Sequence, residues 1–344
     1  MSGSEVFAVV LGTAAGRIWP QPGRSGTSTA LSIEDHHYVV DLGYGWGQRY
    51  QQYGLGSGFG LTPLRRLAAV FLTHLHSDHT IGLAELLAFG LEPRERPIEL
   101  IGPGPRGSLP PVHALGGPEP GVVCPERPMP GTAETFALLR SALAADLNDN
   151  VRDSRRPHPD TVVRATDVKL PAEVVAAVGD PDLNPAPEVE PWCVFEDDRV
   201  RVTATLVDHR PVFPALAYRF DTGAGSVTFS GDTCVSANLV RLAKDTDLLV
   251  HEANDPDFIE RFLPEPRTPQ QQAKLDHLRG AHTTATEAGS VAEAAGARAL
   301  LLTHLGRCDP ADPPWTRAAT TFSGRVFVAE EGLRIDIGNP EVAS

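Results

Sequence analysis

The hexapeptide His74-Leu75-His76-Ser77-Asp78-His79 constrains this chain more than any other stretch. It follows directly on Leu67 to Thr73, an apolar run that reads as a strand. A strand ending in such a loop can aim several polar side chains at one point beyond a sheet edge. Three imidazoles and a carboxylate at this spacing make a donor set for a borderline divalent metal such as zinc. A solvated turn with incidental histidines explains the pattern poorly.

Other strands surround that loop. Val6 to Leu11, His37 to Leu42 and Ile98 to Ile101 are short apolar runs, and His79 to Phe89 has helical spacing of its leucines. Gly102 to Pro130 is dense in proline and suits neither helix nor central strand. Ala133 to Leu147 predicts an amphipathic helix. The strand pattern returns at Val200 to Val207, Ala215 to Phe220, Val227 to Ser230, Leu248 to His251 and Ala299 to Thr303. Thr284 and Glu287 have capping-box spacing ahead of a helix over 284–295. Three further ligand types stand at predicted strand ends: His209, Asp232 in Ser-Gly-Asp-Thr, and His304 in Thr-His-Leu. The chain reads as one α/β domain over 1–344, with 104–198 as a proline-rich insertion lying over its main sheet.

Composition removes several classes. The net charge of −14 argues against broad nucleic-acid binding through clustered Lys and Arg. No apolar run is long enough to span a membrane, and the first residues lack a secretory pattern. The 4 cysteines, Cys124, Cys193, Cys234 and Cys308, form no CxxC and suggest no disulfide framework. A cytoplasmic protein is expected.

HLHSDH at 74–79, DHRPVFPALAYRF at 208–220, FSGDT at 229–233, HEA at 251–253 and LTHL at 302–305 together resemble the metallo-β-lactamase superfamily. Within it they resemble the ribonuclease Z and arylsulfatase-like branch. The resemblance implies a four-layer αββα sandwich, with the insertion between its two halves. It also implies two zinc ions, although such ligands accept manganese or iron. Carried over by position, His74, His76 and His209 would hold one ion, and Asp78, His79 and His304 the other. Asp232 would bridge them. A hydroxide shared by two such ions is a strong nucleophile at neutral pH. Asp78 and His282 are the catalytic candidates, with His282 protonating the leaving group or orienting it. Asp41, His251 and Glu252 are expected to hold the ligands through hydrogen bonds. His36, His37, His113, His158 and His277 read as exposed or loop residues.

The substrate is the least constrained part. Between His209 and Asp232 there is sequence for one hairpin and none for the long arm that grips RNA in ribonuclease Z. The insertion carries acidic patches instead. The expectation is therefore a small-molecule ester hydrolase acting on an aryl sulfate, a phosphodiester, a related ester or a lactone, with nucleic acid set aside as a partner. Trp46, Tyr53, Phe59 and Trp192 are candidate pocket walls, and Arg17, Arg24 and Arg210 candidate anion contacts. Processing of transfer RNA 3′ ends is the alternative. A metal-binding effector scaffold with little turnover is a third reading, which the complete ligand set disfavours. A homodimer is compatible with the chain.

Overall fold

The computed structural model describes residues 6–16, 23–56, 63–112, 119–308, 311 and 313–341. The chain divides into two compact units. The first comprises Met1–Gly104, Pro130–Val168 and Glu330–Ser344, and the second Pro105–Met129 and Lys169–Ala329.

The first unit is built on a seven-stranded mixed sheet. Its strands are β1 (Val6–Gly12), β2 (Ser28–Ile33), β3 (His36–Val40), β4 (Leu67–Phe71), β5 (Ile98–Pro103), β6 (Val163–Val168) and β14 (Arg334–Asp336), in the order β14-β1-β2-β3-β4-β5-β6. From β14 to β3 neighbours run antiparallel, and from β3 to β6 they run parallel. The helices are α1 (Trp46–Gln52), α2 (Ser77–Thr80), α3 (Leu83–Phe89), α4 (Thr132–Ala142), α5 (Ala144–Arg152) and α6 (Pro159–Val162). Leu83, Leu86 and Leu87 of α3 join Val39, Val70, Leu72 and Leu100 in one buried cluster. Each such side chain contributes about 1.5–3 kcal/mol by leaving water.

The helix expected over 79–89 is interrupted at Gly82. Its N–H donates to the Leu42 carbonyl (2.9 Å) and its carbonyl accepts from the Trp46 indole (2.9 Å). A side chain at Gly82 would strike the Trp46 ring, so glycine is required where loop and helix meet. Trp46 is thereby a core residue, 1% exposed. The helix expected over 133–147 breaks at Leu143 into α4 and α5.

The second unit carries its own seven-stranded mixed sheet. Its strands are β7 (Trp192–Glu196), β8 (Val200–Leu206), β9 (Leu216–Thr222), β10 (Ser226–Phe229), β11 (Leu248–Ala253), β12 (Ala299–Leu305) and β13 (Arg325–Val328), paired in sequence order. Here β7 to β10 pair antiparallel and β10 to β13 parallel. The helices are α7 (Ala172–Val178), α8 (Ala237–Leu242), α9 (Pro256–Arg261), α10 (Pro269–Gly280) and α11 (Ala285–Ala295), followed by a 3-10 turn over Pro314–Thr320. The capping box forms at Thr284 and Glu287, and Ala288, Val291, Ala292 and Ala295 face the core.

The segment 104–198 does not simply cover a sheet. It supplies β6 at one edge of the first sheet and β7 at one edge of the second. Its proline-dense part has no helix or strand among the described residues.

Candidate functional site

In the first unit, the ligand loop leaves the end of β4, whose neighbours β3 and β5 both run parallel to it. Side chains beyond the carboxyl ends of parallel strands converge. His74 is fully buried, and Asp78 and His79 are 6% and 1% exposed. The His74 ring lies 4.6 Å from that of His76 and 4.0 Å from that of His79. Asp41 holds this loop. Its carboxylate accepts from the Thr73 backbone N–H (2.8 Å), the Thr73 hydroxyl (2.8 Å) and His79 Nδ1 (2.7 Å). A carboxylate only accepts, so Nδ1 of His79 carries the proton and Nε2 is the nitrogen that could take a metal. Asp41 sits at φ 60, a left-handed conformation that few non-glycine residues adopt. The Gly16 N–H donates to Asp78 Oδ2 (2.8 Å), fixing that carboxylate from the other side.

In the second unit, His209 follows β8, Asp232 follows β10, and Glu252 and His304 are the penultimate residues of β11 and β12. His209 Nδ1 donates to the Ala281 carbonyl (2.8 Å), which turns Nε2 toward Asp232 Oδ2 at 3.8 Å. His304 Nε2 stands 3.4 Å from the same oxygen. His304 adopts φ 46 and Gly231 φ 61, so two strand ends bend sharply beside Asp232. Glu252 is 1% exposed and accepts from the Thr233 N–H (2.7 Å), the Asn254 amide (2.9 Å) and His282 Nδ1 (2.9–3.0 Å). His282 is thereby oriented within 4.0 Å of Asp232. The ligand atoms of Asp232, His282 and His304 all lie within 4.8 Å of one another. Buried imidazole and carboxylate donors this close together, with His209 and His282 anchored through Nδ1, fit a divalent cation.

Three placements differ from the expected ones. His251 donates to the Glu252 carbonyl (2.8 Å) and bonds no candidate ligand. Strand alternation sends it to the face opposite Glu252, and burial lowers its pKa. His37 is a buried residue, not an exposed one. It meets the Tyr50 hydroxyl at 2.5 Å, and burial lowers its pKa to about 4. His277 on α10 lies beside His209 and His282, with ring centroids 5.6 and 5.4 Å away. No local motif marks it. Its place one turn before His282, at the end of a helix, is the only signal the sequence offers.

His36 and His158 are partly and largely exposed, as their loop positions suggested. Arg210 is exposed and pairs with Asp208, while Arg24 bonds Thr13. Arg17, Phe59 and His113 lie outside the described residues. Burial raises the Cys234 thiol to about 11, so it stays protonated at neutral pH.

The chain is similar to known proteins along nearly its whole length. It is 29% identical to ribonuclease Z of Mycobacterium sp. (strain KMS) over 338 residues, covering 96% of each chain. It is 28% identical to ribonuclease Z of Mycobacterium avium (strain 104) over 347 residues, covering 97% of this chain and 99% of the relative. No protein-family profile matches it. Among solved structures, the short form of human tRNase Z superposes with a TM-score of 0.61 at 21% identity, covering 96% of this chain and 99% of that one. The metallo-β-lactamase fold protein YhfI of Bacillus subtilis gives 0.58 at 18%, with coverage of 96% and 99%. Zinc-bound PqqB of Methylobacterium extorquens gives 0.55 at 15%, with coverage of 96% and 100%. The fold is thus the α/β sandwich of the metallo-β-lactamases. By these likenesses the chain resembles the ribonuclease Z branch of the metallo-β-lactamase superfamily.

These likenesses overturn the expectation of a small-molecule substrate with nucleic acid set aside. That expectation leaned on the acidic patches of the insertion, which do not decide the charge of a local groove elsewhere. It leaned also on the missing arm. The stretch between His209 and Asp232 is indeed the β9–β10 hairpin, yet relatives named as ribonucleases align over 94–99% of their own length. No helix of the described residues is long and apolar enough to cross a membrane.

Proposed function

We propose that this hydrolase of metallo-β-lactamase fold is a ribonuclease Z-type endonuclease that removes 3′ trailers from transfer RNA precursors. The end-to-end likeness to curated ribonucleases Z carries the reading. The geometry supplies chemistry that suits it. His74, His76, Asp78 and His79 of the first unit and His209, Asp232 and His304 of the second are the ligands for two divalent ions, zinc by preference for this donor set. Bound ions would neutralise phosphodiester oxygens and activate water.

The remaining work falls to the protein's own groups. Glu252 accepts from His282 Nδ1 and supports the imidazolium form of the ring, whose Nε2 proton is then placed for the departing oxygen. Asp41 performs the corresponding service for His79. Asp78, tied to the Gly16 N–H, is the carboxylate assigned to orient the attacking water. A cytoplasmic address follows from the substrate in this reading.

The test is incubation of metal-loaded protein with a precursor transfer RNA and with an unfolded RNA of the same trailer sequence. Cleavage at a single position before the trailer, confined to the folded precursor, is the expected result. Cleavage of neither RNA, or of both indiscriminately, sinks the proposal.

A further inference from the structure

Many exposed arginines of this chain face a carboxylate, as Arg164 faces Glu99, Arg201 faces Glu196 and Arg298 faces Asp247. Arg65, Arg66, Arg96, Arg152 and Arg155 differ. Each is exposed, and none makes an ion pair with a carboxylate among the described residues. All five belong to the first unit. Arg65 and Arg66 precede β4, Arg96 precedes β5, and Arg152 and Arg155 lie at and just after the end of α5, ahead of α6 and β6. β4, β5 and β6 are parallel neighbours, so their starts share one end of the sheet. Two further arginines pin the three stretches together. Arg94 donates to the carbonyls of Leu64 (2.6 Å), Leu67 and Arg96 (3.2 Å), and Arg156 to that of Leu91 (3.3 Å). Residues 63–66, 91–97 and 152–158 thus carry seven arginines against the three carboxylates Glu92, Glu95 and Asp153, in a chain of net charge −14. Glu92 is buried and paired with Arg94. The adjoining β2–β3 turn adds Glu34 and Asp35, the latter engaged by His36 (2.7 Å).

We infer that this arginine-lined end of the first unit is a docking surface for the phosphate backbone of RNA, and that it grips the folded part of the substrate away from the cleaved bond. The inference rests on the proposed function. Clustered guanidinium groups that no carboxylate neutralises attract polyanions, and counterions released from the RNA strengthen that attraction at low salt. Arginine suits phosphate further through its planar fork of donors. None of the exposed large hydrophobic side chains lies in these three stretches. A protein partner would need such anchors, whereas a phosphate backbone does not. A strand advances ~3.3 Å per residue, so Arg66 stands roughly 20–25 Å from the ligand loop beyond the far end of β4. The stacked stems of a transfer RNA are longer than that. One molecule can therefore bring its trailer to the ligands and its stem phosphates to the arginines, which a bare trailer cannot do.

The test compares two variants of the metal-loaded full chain that lose the same positive charge. Arg66→Ala/Arg96→Ala/Arg155→Ala takes one exposed arginine from each stretch, and Arg201→Ala/Lys244→Ala/Arg298→Ala takes three cations from the second unit. Filter binding of mature transfer RNA, which has no trailer to cleave, gives Kd over a series of salt concentrations. Precursor cleavage gives kcat and KM. The first variant is expected to raise Kd and KM about tenfold or more, with the change in KM and not in kcat, and to flatten the slope of log Kd against log salt by about 2–3. The second is expected to stay close to wild type. Equal Kd values and salt slopes in all three proteins overturn the surface. An equal loss in both variants does so too, because net charge alone would then explain it. Loss of polyglutamate binding with transfer RNA binding intact assigns the surface to an acidic protein and overturns the proposal. If the first variant does not fold, Arg152→Ala/Arg155→Ala decides by the same readings. Wild type that binds transfer RNA but cleaves no precursor counts against the endonuclease reading, while the Kd values still decide the surface. Wild type that binds no transfer RNA overturns the surface outright.

Discussion

The two units solve one problem in different ways. The first takes its four candidate ligands from one contiguous stretch after β4, a loop running into α2. The second gathers three from separate strand ends, after β8, after β10 and at the end of β12. Each unit then places one buried carboxylate behind its histidines. Asp41 serves the loop through Thr73 and His79, whereas Glu252 ties together Thr233, Asn254 and His282. Local sequence is enough to bring ligands together when they share a loop. When they are scattered, parallel strand order does it, and the supporting carboxylate must reach across several loops. The second arrangement is therefore more exposed to damage at a single residue.

That contrast is open to direct attack. The largest effect is expected from Asp232→Ala, because one Asp232 oxygen lies near both His209 and His304. Metal and turnover should fall together by elemental analysis and precursor cleavage. Retention of full metal content with normal turnover would remove Asp232 from the ligand set. His282→Ala should keep its tightly bound metal and lower kcat by about 10²–10⁴-fold, the usual worth of a placed proton donor. Parallel loss of that metal would recast His282 as a ligand. Asp41→Asn tests the loop-based half. Weaker polarisation of His79 should reduce metal affinity by about 10–100-fold in a competition titration. An unchanged affinity would mean that the loop orders itself without Asp41.

The smallest effect concerns stability. His37 titrates at about 4 in the folded chain against 6.5 ordinarily, so the unfolded chain binds more protons between those values. The neutral ring favours the folded state above pH 6.5, and that advantage fades as pH falls toward 4. The full difference is about 3 kcal/mol. Urea unfolding of wild type and His37→Gln across pH 4 to 7 should show a shallower loss in the variant. Parallel curves would mean that His37 accepts a proton without penalty.

Much of this was legible before any coordinates. HLHSDH announces itself because its ligands are contiguous, and Thr284 with Glu287 marks a helix start that forms as read. His209, Asp232 and His304 were found through their places after apolar runs. What escaped notice depends on tertiary partners. Gly82 breaks a helix because Leu42 and Trp46 claim its backbone. His37 disappears into the core against Tyr50. β6 and β7 were hidden between prolines, although Val163–Val168 and Trp192–Glu196 carry strand-forming residues. His277 sits on a helix whose pattern gives no hint of the histidines across from it. The substrate misreading had another origin: an acidic insertion and one missing arm were asked to decide a question that local surface decides.

The most direct test of the central claim is single-turnover cleavage of a precursor transfer RNA before chelation, after chelation and after restoring Zn2+. The account predicts trailer removal at one position, its loss with the metal and its return on reconstitution. Cleavage that persists unchanged in metal-free protein would contradict the account, as would its absence from protein carrying a full complement of metal.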